Sequence, residues 1–157
     1  MKISRQRLIP FLTESLGIES IHRLPTESEI EEAERFLSLE HVTVGDLVTF
    51  VTVYAPGAKL RSEPGMNVKV GNHYPMAGGK QVESWLLGIL GTLDNPNPYA
   101  THVKYEFLHP FTDCNGRSGR MIWLWQMLKQ DRLIAGLSFL HSWYYSSLEN
   151  SHQSNSR

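Results

Sequence analysis

Residues 117–130 place Met121, Ile122, Trp123, Leu124, Trp125, Met127 and Leu128 nearly all round the helix they would form. Such a helix has no face to give to water, so it has to be the centre of a fold that other helices enclose. With 157 residues and a hydrophobic content of 41%, the chain is long enough to do this as one domain, residues 1–157.

The rest of the chain supplies the wrapping. Thr26 and Glu29 stand in capping-box spacing, and Ile30, Ala33, Phe36 and Leu37 then fall on one face, which predicts a helix over 26–40. Thr43 can cap the next segment, 44–54. Its nearly continuous β-branched residues suit either a strand or a buried helix, and Pro56-Gly57 ends it in both cases. Val82, Trp85, Leu86, Ile89, Leu90 and Leu93 return to helical spacing. Asn97 and Pro98 cap and start a further helix, which runs to about Leu108 before Pro110 stops it. A last helix is expected over about 137–148, ahead of the polar tail SHQSNSR.

One stretch breaks the helical texture. Glycine and proline recur through 58–79, and short extended pieces at 59–61 and 67–70 flank Glu63-Pro64-Gly65. This reads as a β-hairpin followed by a loop. The expected fold is therefore mainly α, with one hairpin.

Charge and cysteine content narrow the function. A net charge of -1 gives no general electrostatic hold on nucleic acid, so an anionic ligand has to be gripped locally. Cys114 is the single cysteine, which rules out an intrachain disulfide and fits a reducing compartment. The opening residues MKISRQRLIPFLTESLG have only a short apolar stretch, interrupted by Pro10, and do not read as a signal peptide. No apolar run approaches the roughly 20 residues that span a bilayer. A cytoplasmic protein without nucleic-acid or membrane partners is expected.

The chemistry concentrates in His109-Pro-Phe-Thr-Asp-Cys-Asn-Gly-Arg-Ser-Gly-Arg120. A helix ends at His109, a tight turn follows, and a new helix starts near Asn115 or Gly116. Free amides and the positive dipole end at such a start suit an anion. Arg117 and Arg120, three apart, add guanidiniums on one face, so a polyphosphate is plausible. Asp113 stands where a carboxylate could share Mg²⁺ with phosphates, although a turn-capping role is the plain alternative. His109 is the nearby group able to take a proton near neutral pH.

This stretch resembles the Fic family signature, His-Pro-Phe-x-Asp/Glu-Gly-Asn-Gly-Arg-x-x-Arg, and the similarity extends over about residues 60–148. The resemblance implies a helical Fic fold and a protein adenylyltransferase that moves AMP from ATP to a Ser, Thr or Tyr hydroxyl of a target protein. His109 would be the base, and Asp113 would hold Mg²⁺. Cys114, Asn115, Gly116, Arg117 and Arg120 would line the phosphates, and Phe111 would anchor the loop in the core. The hairpin would be the family's flap, with Arg61, Asn67, Val68, Lys69 and Val70 docking the target backbone as an added strand. Arg61 and Lys69 are otherwise read as solvated.

Two departures matter. Cys114 takes the place of a signature glycine. If φ is positive there, a side chain costs about 1 kcal/mol, and a thiol at a helix start among arginines should have a lowered pKa. Alanine stands at this place in Doc-type relatives. Those relatives transfer phosphate and lack the Gly-Arg-x-x-Arg half that is present here. Secondly, many Fic enzymes are restrained by a helix with Ser/Thr-x-x-x-Glu-Gly/Asn, whose glutamate pairs with the arginine equivalent to Arg120. Glu149-Asn150 is the only Glu followed by Gly or Asn, and Tyr145 stands four residues before Glu149. A full motif is missing, so a separate antitoxin protein is the favoured source of restraint.

The competing readings are transfer of UMP, GMP or phosphate by the same fold, and a non-catalytic module that binds nucleotide or a partner. A Cys114–His109 nucleophilic pair lacks an orienting partner. His102 and Glu106, four apart, have metal-compatible spacing but no His-Glu-x-x-His pattern, and are read as structural.

Overall fold

A computed structural model describes residues 3–132. The expected helix at 137–148, Trp143, Tyr145 and Glu149-Asn150 lie outside the described residues. Six helices are present among the described residues: α1 (Arg5–Ile18), α2 (Glu27–Leu37), α3 (Val44–Tyr54), α4 (Lys80–Leu90), α5 (Pro98–Leu108) and α6 (Asn115–Lys129). The chain is mainly helical, as its patterning requires. None of these helices is long and apolar enough to cross a membrane.

Helix α6 is the axis. Asn115 and every residue from Arg117 to Leu128 are buried, and α1, α2, α3 and α5 all pack against it. Trp123 stacks on Phe11 of α1 with ring centres 6.4 Å apart. Trp125 is buried with its indole N–H donating to the Leu39 carbonyl at 3.0 Å. Small residues set the closest crossing, between α5 and α6. A Cβ on Gly119 would collide with Tyr105 of α5, and the Tyr105 hydroxyl bonds Ser118 Oγ at 2.7 Å. This crossing brings the C-terminal end of α5 to the N-terminal end of α6.

The caps read from sequence are formed. Thr26 and Glu29 make a reciprocal capping box on α2, and Thr43 and Asp46 make another on α3. The Asn97 side chain accepts from the Ala100 amide at 3.1 Å to start α5. The second box decides the ambiguous 44–54 segment. Leu47, Phe50, Val51 and Tyr54 share one buried face while Val48 is 40% exposed, a helical period that overrides β-branched content. In α4, Val82, Leu86 and Ile89 are buried, but Trp85 is 61% exposed.

Helix α1 was hidden in the sequence by Pro10. A proline removes one amide and displaces one carbonyl, which usually ends a helix. Here Pro10 lies on the exposed face, and Leu8, Phe11, Leu12, Ser15 and Leu16 bury the other. Packing of that face holds the helix together.

The expected hairpin is not formed. Leu60 pairs with Phe111 in an isolated antiparallel bridge instead of with the 67–70 segment. The Arg61 amide donates to the Pro110 carbonyl and the Thr112 amide to the Lys59 carbonyl, both at 2.9 Å. The signature loop thus takes the hydrogen bonds that a hairpin partner would have used. Residues 62–78 form a loop closed by Arg61, with a two-residue turn at Gly71-Asn72 where Val70 and His73 exchange amide bonds of 2.9 and 2.8 Å.

Candidate active site

His109 is the C-cap of α5 and adopts a left-handed backbone, φ 50°. That conformation turns the chain toward α6 and leaves the imidazole half-buried at the junction. Nδ1 lies 3.4 Å from the Glu106 carbonyl, a long contact that favours a proton on Nδ1 and leaves Nε2 as the basic nitrogen. Burial is the main influence on its pKa and lowers it. The Glu106 carbonyl acts the other way, the Arg61 and His73 charges lower it further, and the Glu19 carboxylate raises it. Burial thus favours the neutral ring, the form a base needs.

Phe111 is fully buried, which suits an anchor. Its amide donates to Asn115 Oδ1 at 2.8 Å, and its carbonyl accepts from Asn115 Nδ2 at 2.9 Å. The Asn115 side chain therefore braces the loop. One Nδ2 hydrogen is used in this bracing. Cys114 has φ 70°, the positive value that glycine accepts freely. The thiol is 3% exposed and burial pushes its pKa up to about 12, with the nearby Arg117 charge opposing. The expected lowering is overturned because removal from water outweighs the arginines. Burial thus works against formation of the thiolate.

Cys114 supplies no side-chain cap to α6, so the first-turn amides receive nothing from the residue that usually caps them. Asp113 stands beside them with its side chain 69% exposed, and Arg117 Nη2 reaches its Oδ1 at 3.4 Å. An open carboxylate at a helix start fits a divalent ion shared with phosphates. No three His, Cys, Asp or Glu residues converge among the described residues, so substrate and water would have to complete its shell. Arg117 is buried and donates Nη1 to the Tyr54 carbonyl at 2.7 Å.

Arg120 is 1% exposed and its guanidinium is engaged by α1. Nε donates to Ser15 Oγ at 2.8 Å, and Nη2 donates to the Ser15 carbonyl at 2.9 Å and to Glu19 Oε1 at 2.6 Å. The Glu19 carboxylate lies directly over Gly116, where a Cβ would collide with its Oε1. The anion at the mouth of α6 is thus the chain's own. Sequence reasoning missed Ser15 and Glu19 although they stand in Ser-x-x-x-Glu spacing, because Ser20 follows in place of Gly or Asn. Ser20 has φ 61°, the left-handed conformation that Gly and Asn adopt most readily.

The docking residues separate. Lys69 and Val70 are exposed and Val68 is half-buried; the Lys69 ammonium lies 5.2 Å from the centre of the Tyr74 ring. Asn67 accepts from the Gly78 amide at 3.0 Å and closes the loop. Arg61 is neither solvated nor able to touch a target, for it is fully buried. It donates to the carbonyls of His109 (2.7 Å), Leu108 (2.9 Å), Met76 (2.7 Å) and Met66 (3.1 Å). His102 and Glu106 remain structural: His102 is 2% exposed, and its Nε2 lies 3.9 Å from Glu106 Oε1. No family model matches the chain, and no curated protein matches it.

Proposed function

We propose that this chain is a Fic-type protein adenylyltransferase, held in a restrained state by its own Glu19. One observation carries the reading. His109 and the exposed Asp113 carboxylate stand on the loop that leads into α6, the buried Arg120 guanidinium lies beside Gly116 in its first turn, and the Glu19 carboxylate already fills the place an anion would take.

In this reading a target hydroxyl gives its proton to His109 while its oxygen attacks the α-phosphorus of ATP. A new P–O bond forms to the target, the bond to the bridging oxygen breaks, and pyrophosphate leaves. The α6 amides and Arg120 hold the phosphates, so catalysis is mainly positioning and charge stabilisation. Asp113 is the residue that would hold Mg²⁺, whose charge offsets that of the phosphates when it is bound. Lys69 and Val70 are exposed on the loop and remain available to a target chain. The absence of a hairpin before a target arrives is no obstacle, because strand addition needs only an extended edge.

Glu19 has to leave before a γ-phosphate can reach Arg120, since both need the same donors. This replaces the separate antitoxin as the source of restraint. The test is incubation of the chain, and of a Glu19→Ala variant, with Mg²⁺, a cell lysate and ATP labelled at either the α- or the γ-position. Protein labelling from the α-position, stronger in the variant, is the expected result. Labelling from the γ-position alone points to phosphate transfer, and tight ATP binding without any labelling points to a binding module.

A further inference from the structure

Arg61 and Arg120 are the two fully buried guanidiniums among the described residues, and the four side-chain hydrogen bonds of Arg61 go to carbonyl oxygens. Two of them, Leu108 and His109, are the carbonyls on either side of the His109 Cα. A third carbonyl, that of Pro110, accepts from the Arg61 amide at 2.9 Å. Fixing these three successive peptide planes leaves the φ and ψ of His109 little freedom. This matters because His109 is left-handed at φ 50°. A non-glycine residue there is strained and persists only when its surroundings over-determine it. The same guanidinium holds the Met66 and Met76 carbonyls near the two ends of the loop, and the Arg61 carbonyl accepts from Gly79 at 2.9 Å.

Burying a guanidinium is costly, and core stability alone would be served as well by an apolar side chain. The fork geometry offers something else. It ties the exposed end of α5 to the loop through rigid planar donors, and it places positive charge at the negative end of the α5 dipole.

We infer that Arg61 is a positioning residue, which sets the direction of the His109 imidazole and registers the 62–78 loop to it through one guanidinium. This rests on the reading of His109 as the base. Arg61 touches no reacting atom. Its action is to hold the base and the loop in fixed relation, so that a hydroxyl brought by the loop meets the imidazole at bonding distance.

Arg61→Lys keeps the charge but loses the fork. In the full chain, with α-labelled ATP, Mg²⁺ and lysate, the maximal labelling rate is expected to fall about tenfold to a hundredfold, the scale of a misplacement near 1 Å. The ATP concentration for half-maximal rate should move less than about threefold. Long-range ¹H–¹⁵N spectra of the His109 ring should shift in the same variant. A folded Arg61→Lys chain with undiminished rate and unchanged His109 signals overturns the inference. So does a rate loss explained wholly by weaker ATP binding.

An arm that needs no variant guards against a chain that fails to fold. The Arg61 Nε–H signal of the wild-type chain should exchange with water at least about a hundredfold more slowly than that of exposed Arg7. Equal exchange contradicts the clamp. Wild-type labelling that is absent, or that survives His109→Ala, defeats the transfer reading; a normal rate in Arg61→Lys beside an active, His109-dependent wild type defeats only the role of Arg61.

Discussion

Replacing Glu19 with alanine should tighten ATP binding, and the structure sets the size of the effect. The carboxylate accepts a 2.6 Å charge-assisted bond from Arg120, whose side chain is 1% exposed while that of Glu19 is 35% exposed. Bonds to ionised groups contribute about 1.5–3 kcal/mol when buried, and the partial exposure of Glu19 reduces this to about 1–2 kcal/mol. ATP has to forgo that much to reach the same guanidinium, so Glu19→Ala should bind about 5- to 30-fold more tightly. Glu19→Gln keeps the volume over Gly116 and loses only the charge, so it should fall between the two. Without nucleotide, the alanine variant should also be less stable by about 1 kcal/mol, because Arg120 loses a partner. Saturating Mg-ATP should abolish that difference, because the Arg120–Glu19 bond is then absent from both proteins. Calorimetric titration of ATP into the three proteins, with melting curves in its presence and absence, reads both effects. An alanine variant whose affinity stays within twofold of wild type would refute the reasoning.

Further consequences follow from the same geometry. Because burial lowers the His109 pKa and only the neutral ring acts as base, the transfer rate at saturating Mg-ATP should rise with pH through a midpoint below the usual value of about 6.5, and be level from about pH 7 to 8; a midpoint above 7 would contradict it. Positive φ at Cys114 means that Cys114→Gly should be about 1 kcal/mol more stable in urea titrations than Cys114→Ala, since both lose the buried thiol and only glycine relieves the backbone. The buried thiol should react with iodoacetamide in the folded chain no faster than global unfolding allows, with or without ATP; rapid labelling of folded protein counts against its burial. Burial holds His102 down at about 3 and pushes Glu106 up to about 7. From pH 7 to 5 the unfolded chain gains a proton on His102 that the folded chain refuses, costing about 2 kcal/mol, and the folded chain gains one on Glu106, contributing about 2 kcal/mol. Glu106→Gln should expose a loss of about 2 kcal/mol between those pH values that wild type does not show by chemical denaturation.

What the sequence disclosed follows from how local each determinant is. The centre of the fold was legible because an all-apolar helix has only one possible position, and α2 and α5 were legible in their capping residues, whereas the β-branched content of 44–54 left strand and helix open until its packing decided for α3. The signature loop was legible because its residues are contiguous. The errors are non-local. Pro10 is a breaker by local rules, and only the packing of Leu8, Phe11 and Leu12 shows otherwise. The hairpin failed because residues 59–61 found a better partner in the loop around Phe111, some fifty residues away. Arg61 looked solvated because a charged residue in a glycine-rich loop usually is, and its four carbonyl partners come from three separate segments. Glu19 escaped because its partner Arg120 lies about a hundred residues away, and Ser20 stands where Gly or Asn was sought.

The sharpest measurement is His109→Ala, assayed with α-labelled ATP, Mg²⁺ and lysate beside an ATP titration of the same protein. Loss of labelling with ATP affinity within about twofold of wild type is the expected pair of results, since the imidazole takes a proton and does not hold phosphate. Labelling that continues at the wild-type rate would contradict the assignment of the base and, with it, the transfer reaction itself.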